Sequence, residues 1–197
     1  MTSGPTTAET TRLGVSEQSA LLRLARRAVE AAVRGDAGPD LAAEGVSGAL
    51  AAPGAAFVTL HLHGQLRGCI GTVTPRGEPL AQNVVAMARA AALEDPRFAP
   101  LRPEELGALD LEISVLGPLV PVDDPGEVVV GRDGLLVEEG LRRGLLLPQV
   151  PVEWGWSRET FLGQTCAKAG LPADAWRRNA RVFRFEAEVF GEPDRPS

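Results

Sequence analysis

The sequence predicts an α+β fold, a mixed but mostly antiparallel sheet packed by about three to four helices. Segments with helical spacing are interspersed with segments that alternate apolar and polar residues, and hairpin-like pairs outnumber stretches long enough for parallel crossovers. Composition agrees: 197 residues, 44% hydrophobic and 23% charged, suffice for a sizeable core in one domain or two tightly packed subdomains.

Residues 1–15 are rich in Thr, Ser, Gly and Ala, bury too little surface to offset ordering entropy and read as an N-terminal tail. Ser16 supplies a helix cap, and Leu21, Ala25, Ala28, Val29 and Ala32 recur at helical spacing until Gly35. The alanine-rich stretch from Asp40 to Leu50 predicts a second, shorter helix ending before Pro53-Gly54. From Phe57 to His63 the pattern alternates, with Val58, Leu60 and Leu62 on one face and Thr59, His61 and His63 on the other. Gly64-Gln65 fits a two-residue turn that sets Leu60 opposite Cys69, on the apolar face. A loop one residue longer puts the thiol with the histidines instead, so its placement depends on turn length.

Pro79 opens a helix whose stripe is Leu80, Val84, Met87, Ala88 and Ala91, and the two prolines of Asp95-Pro96-Arg97-Phe98-Ala99-Pro100 break the chain after it. Leu109 to Leu116 alternates as a long strand, with Asp110, Glu112 and Ser114 on its polar face. Val128–Val130 and Leu135–Val137 flank Asp133-Gly134, which reads as a hairpin turn, and the apolar run Leu145-Leu146-Leu147 ends at Pro148. Ser157 caps a helix that carries Phe161, Leu162, Thr165, Cys166 and Ala169 on one side and stops at Gly170 and Pro172. Arg181 to Phe190 is a closing strand, the domain runs over 16–190, and residues 191–197 form a C-terminal tail.

A net charge of −6 argues against a general nucleic-acid binder. No apolar run is long enough to span a bilayer and the start is unlike a signal peptide, so a cytoplasmic protein with reduced thiols is expected. A Cys69–Cys166 disulfide is the minority reading. Walker, dinucleotide and Gly-x-Ser-x-Gly motifs are absent. His61-x-His63 lacks the paired spacings of a zinc site, so neither a metal nor a cofactor is expected.

The chemistry-bearing run is Leu66-Arg67-Gly68-Cys69-Ile70-Gly71, a cation and a thiol two residues apart between glycines. On an extended strand that spacing sends Arg67 and Cys69 to one face, and a guanidinium beside a thiol favours the thiolate. Gly68 and Gly71 permit close approach of another chain or a ligand. Cys69 with Arg67 and one of the two histidines is the best nucleophile constellation in the chain. The bland alternative packs Cys69 as a small apolar side chain, pairs Arg67 with Glu112 or Asp95, makes Asp95 to Arg97 a locally bonded turn and leaves Glu112 and Ser114 on a solvated strand face. Trp154 and Trp156 line a pocket or cover core, and Gln149 orients a polar ligand group.

Taken together, this run, Asp95-Pro96-Arg97-Phe98, Glu112-Ile113-Ser114-Val115-Leu116, Gly144-Leu145-Leu146-Leu147-Pro148-Gln149-Val150 and Cys166-x-Lys168-Ala169-Gly170-Leu171-Pro172 resemble the AMMECR domain family. The resemblance covers about 16–190; where the family often reads Pro-Gln-Val-Ala, this chain has Pro-Gln-Val-Pro at Pro148 to Pro151. It implies an α+β domain, described as two subdomains with a cleft, and signature residues at Arg67, Gly68, Cys69, Gly71, Asp95, Arg97, Glu112, Ser114 and Gln149. It also implies Memo-type and radical S-adenosylmethionine proteins as pathway partners, because relatives are often encoded beside them. The resulting expectation is a small-molecule or nucleotide-type site near Cys69 within a modification pathway. In it Cys69 is the nucleophile, Arg67 the stabiliser of thiolate or anion, and Glu112 an acid/base or arginine partner, while Gly68, Gly71, Asp95, Arg97, Ser114 and Gln149 contact the ligand. The alternative is a non-catalytic adaptor that binds a partner protein through the same cleft.

Overall fold

The computed structural model describes residues 12–192; most of the two expected tails lies outside the described residues. The fold is α+β, and the described chain divides into two compact units, residues 12–115 with 188–192 and residues 116–187.

The first unit begins with α1 (Val15–Arg34). Its cap is Gly14 rather than Ser16: the Glu17 carboxylate accepts the Gly14 N–H at 2.8 Å, and Ser16 falls inside the first turn. Gly35 ends the helix in the left-handed region at φ 76°, where a residue without Cβ is favoured. Leu13, in the segment expected as a tail, is buried, and its N–H donates to Glu188 at 3.0 Å. The second helix expected over Asp40 to Leu50 is absent. Gly45 and Gly48 take φ of 66° and 56°, incompatible with a right-handed helix, and only a 3-10 turn, Gly48–Leu50, forms.

Strands β1 (Ala55–Leu62) and β2 (Gln65–Gly71) make an antiparallel hairpin, followed by α2 (Leu80–Leu93) and β3 (Leu109–Leu116). The hydrogen-bonded order is β2-β1-β3, with the last residues of β7 (Arg181–Gly191) beside β3. Helices α1 and α2 cover one face of this sheet, where Val58 and Leu60 of β1 and Leu109, Leu111 and Ile113 of β3 join Leu21, Leu24, Val29 and Val84 in a single core. Full burial of each such side chain contributes about 1.5–3 kcal/mol before entropy is counted. Alternation then sends Thr59, His61, Glu112 and Ser114 to the face opposite α1 and α2. Arg26, buried on α1, forks onto Glu192.

The second unit holds β4 (Val120–Pro121), β5 (Asp133–Glu139), β6 (Arg142–Leu146), α3 (Gln149–Glu153), α4 (Arg158–Lys168) and the start of β7. Strand β5 pairs antiparallel with both β6 and β7, and β4 pairs with β7. The hairpin turn is Gly140-Leu141 rather than the Asp133-Gly134 signal. Asp133 is fully buried, its carboxylate accepting the Val129 N–H at 2.8 Å and the Arg132 guanidinium, so it closes a loop before β5 instead of turning a hairpin. Gly144 of β6 brings α4 against the sheet, because a Cβ there would lie 2.3 Å from the Ala169 nitrogen. Ser157 caps α4 as expected, its Oγ accepting the Thr160 N–H at 3.2 Å. Cys166 is core with Phe161 and Leu162.

Candidate functional site

The hairpin register fixes where the thiol points. The turn is His63-Gly64, with φ of 51° and 74°, rather than Gly64-Gln65, and it pairs Leu62 with Gln65. Two positive φ values make the type I′ turn that matches strand twist. The register then shifts between Leu60 and His61: His61 faces Leu66, Leu60 faces Gly68, and Arg67 is the extra residue of a bulge. Beyond the bulge Thr59 faces Cys69, so the thiol leaves the apolar face for the one that carries Thr59 and His61. The sulfur is half-buried, and the Thr59 hydroxyl donates to it at 3.3 Å.

The outward backbone of Cys69 is held by side chains. Its N–H donates to Asp95 Oδ2 at 2.8 Å, and its carbonyl accepts from Arg97 Nη2 at 3.2 Å. Both groups therefore point away from β1, so Thr59 and Cys69 form a non-hydrogen-bonded pair, in which side chains approach most closely. Asp95 also accepts the Arg97 N–H and Nε at 3.0 Å and Nη2 at 2.7 Å. The ion pair stands where a neighbouring strand would, covering the edge of β2 at residue 69.

Asp95 is 5% exposed, yet the hydrogen bonds from the Arg97 side chain, and then from the Cys69 and Arg97 N–H groups, hold its carboxyl well below the ordinary carboxylate range despite burial. Arg97 is raised in turn, first by its hydrogen bond to Asp95, with smaller contributions from Cys69.

Arg67 has another partner. Its Nε and Nη2 fork onto Glu105 at 2.8 and 3.1 Å, and Nη1 donates to the Ala99 carbonyl at 2.9 Å. Neither Glu112 nor Asp95 pairs with it, and the cation beside Cys69 is Arg97. The Arg67 fork lowers the Glu105 carboxyl below its usual range. The Phe98 ring has both guanidiniums nearby, Arg97 at 5.4 Å and Arg67 at 6.0 Å from its centroid.

The close approaches at the two glycines are taken by the protein itself. A Cβ on Gly68 would lie 2.3 Å from the Ala91 carbonyl oxygen of α2, and one on Gly71 would lie 2.3 Å from the Phe57 ring. Glu112 and Ser114 share the thiol's face of the sheet. Ser114 is 1% exposed rather than solvated, and its hydroxyl has no hydrogen-bond partner. Gln149 belongs to the other unit, at the start of α3, with its Oε1 buried and unpartnered. Trp154 and Trp156 stack at 6.3 Å.

His63 lies in the turn rather than on β1, which leaves His61 as the histidine on the thiol's face. Among the described residues no group of three or more His, Cys, Asp or Glu side chains is placed to hold a metal ion, and no helix is long and apolar enough to cross a membrane. A concavity of about 240 Å³ lies between the first turns of α1 and residues 44–50, and none of the expected site residues lines it. Sequence reading missed Thr59, Glu105 and Phe98 as members of the site.

A family model described as AMMECR1 matches residues 22–190. A protein of Thermococcus gammatolerans is 49% identical over 192 residues, covering 87% of this chain and 88% of that protein. One of Methanothermobacter thermautotrophicus is 44% identical over 187 residues, covering 91% and 96%. The crystal structure of an uncharacterised protein from Pyrococcus horikoshii superposes with a TM-score of 0.79 at 42% identity, covering 87% of this chain and 89% of that one.

Proposed function

The chain belongs to the AMMECR1 family, and on that premise we propose that it binds a small molecule at Cys69, whose thiol is the reactive group of the site. The clamp around residue 69 carries this reading: one buried carboxylate fixes both the backbone of a half-buried cysteine and a half-exposed guanidinium next to it. A thiol oriented by a cross-strand hydroxyl, with a cation fixed at the same residue, is organised to attack an electrophilic carbon. His61 and Glu112 are the proton-transfer groups on that sheet face, and the unpartnered Ser114 hydroxyl supplies a further hydrogen-bonding group there.

Thermal shift with a panel of nucleotides and small carboxylic acids, on the wild type and on Cys69→Ala and Cys166→Ala, tests the proposal. A ligand bound only to the native state at a hundred times its Kd stabilises by about 2.7 kcal/mol. The expected result is a compound that stabilises the wild type and Cys166→Ala but not Cys69→Ala. Identical responses in all three proteins, or none in any, refute the reading.

A further inference from the structure

The donor inventory of Arg97 says more about what the thiol meets. A guanidinium has five N–H groups. In Arg97 the Nε–H goes to Asp95 at 3.0 Å, and the two on Nη2 go to Asp95 at 2.7 Å and to the Cys69 carbonyl at 3.2 Å. The two on Nη1 meet no oxygen acceptor among the described residues, although the side chain is 52% exposed.

Its counter-ion leaves the positive end of the pair facing outward. The Asp95 side chain is 2% exposed, and its two oxygens already accept four hydrogen bonds. The negative half of the ion pair is thus turned inward and the positive half outward. The other nearby pair, Arg67 with Glu105, is withdrawn on both sides, with side chains 16% and 11% exposed. Phe98, 5.4 Å from the Arg97 guanidinium, adds an apolar wall beside it.

Resting on the reading of Cys69 as a reactive thiol, we infer that its ligand carries an oxyanion, a carboxylate or a phosphate group, which Arg97 receives on Nη1. The ligand's electrophilic carbon is thereby brought to the sulfur. The thiolate forms the C–S bond and the leaving group departs with its electron pair. Asp95 is a positioning residue in this scheme, since it touches neither ligand nor reacting atom but fixes the guanidinium relative to Cys69.

Two alkylating reagents that differ chiefly in charge test this on the native full chain, with Cys69 followed by peptide mass spectrometry. Iodoacetate carries a carboxylate, iodoacetamide does not, and both lose iodide. The rate ratio of iodoacetate to iodoacetamide at Cys69, divided by the same ratio in the urea-unfolded chain, is expected to rise about fivefold, the effect of one partly exposed ion pair. It falls to about one in Arg97→Gln, stays raised in Arg97→Lys, and declines with added salt in the wild type, a readout that needs no variant to fold. Inorganic phosphate slows iodoacetamide at Cys69, relative to chloride at matched ionic strength, if the site also takes phosphate groups; no slowing assigns it to carboxylates. A normalised ratio near one together with no protection by phosphate overturns the inference while leaving the reactive thiol standing. If iodoacetamide itself fails to modify native Cys69, both readings fall.

Discussion

Asp95→Asn removes the charge at the centre of the clamp while keeping the shape, and its cost follows from the hydrogen bonds. The Asp95 carboxylate accepts from Cys69 N–H, Arg97 N–H, Arg97 Nε and Arg97 Nη2. An asparagine there keeps one acceptor oxygen and turns an NH2 group toward the donors on the other side. Whichever way it sits, at least one buried donor faces another donor, which costs about 1–3 kcal/mol. Loss of the ion pair adds at most about 1 kcal/mol, because Arg97 is half exposed and solvent screens it. The sum, about 1–4 kcal/mol, corresponds to a Tm lower by about 8 °C at mid-range for a chain of this size. Far-UV circular dichroism gives the melt, and amide hydrogen exchange at Cys69 and Arg97, at least one of whose N–H groups loses its acceptor, localises it. A loss below about 0.5 kcal/mol with unchanged exchange at both residues would refute the clamp as a structural unit.

Stability should also depend on pH in a way that separates wild type from this variant. The Asp95 and Glu105 carboxyls are both lowered from ordinary values of 3.8 and 4.5, so the stability they contribute is present above those values and lost as pH falls below them. Wild-type Tm should stay level from neutral pH to about 5 and then fall, with a shallower fall in Asp95→Asn; equal slopes argue against the assignment. Gly68→Ala places a methyl group 2.3 Å from the Ala91 carbonyl oxygen, and the backbone shift it forces should cost at least about 2 kcal/mol in urea unfolding. His63→Asn should raise stability by less than about 1 kcal/mol, because His63 sits at φ 51° and asparagine tolerates the left-handed region better; a lower Tm would count against the type I′ turn.

The elements legible in the sequence were those written locally. The stripe of α1, the Ser157 cap of α4, the alternation of β3 and the closing strand depend on periodicity and capping within a dozen or so neighbours, and all four form. Features that rest on distant partners were not legible. Asp133-Gly134 has turn chemistry, but the Asp133 carboxylate is buried against Val129 N–H and Arg132, and the turn falls on Gly140-Leu141. The bulge at Arg67 has no local signal, since Arg67 is held by Glu105, 38 residues on. That bulge, with the turn at His63-Gly64, puts Cys69 opposite Thr59 rather than Leu60. The local turn expected at Asp95 to Arg97 does form, with the Arg97 N–H on Asp95 Oδ1. Its second role, covering the edge of β2, appears only once the hairpin and α2 bring the two segments together.

Whether folding organises Cys69 for reaction is decided by its second-order rate with iodoacetamide at neutral pH in the native chain, measured beside Cys166 and free cysteine. Cys166 is wholly buried, and burial raises its thiol above the ordinary value, so it should stay unmodified until the chain unfolds. Native Cys69 is expected to react faster than free cysteine and to lose that advantage when Thr59→Val removes the hydroxyl at 3.3 Å. A native rate at or below that of free cysteine, unchanged in Thr59→Val, would contradict it.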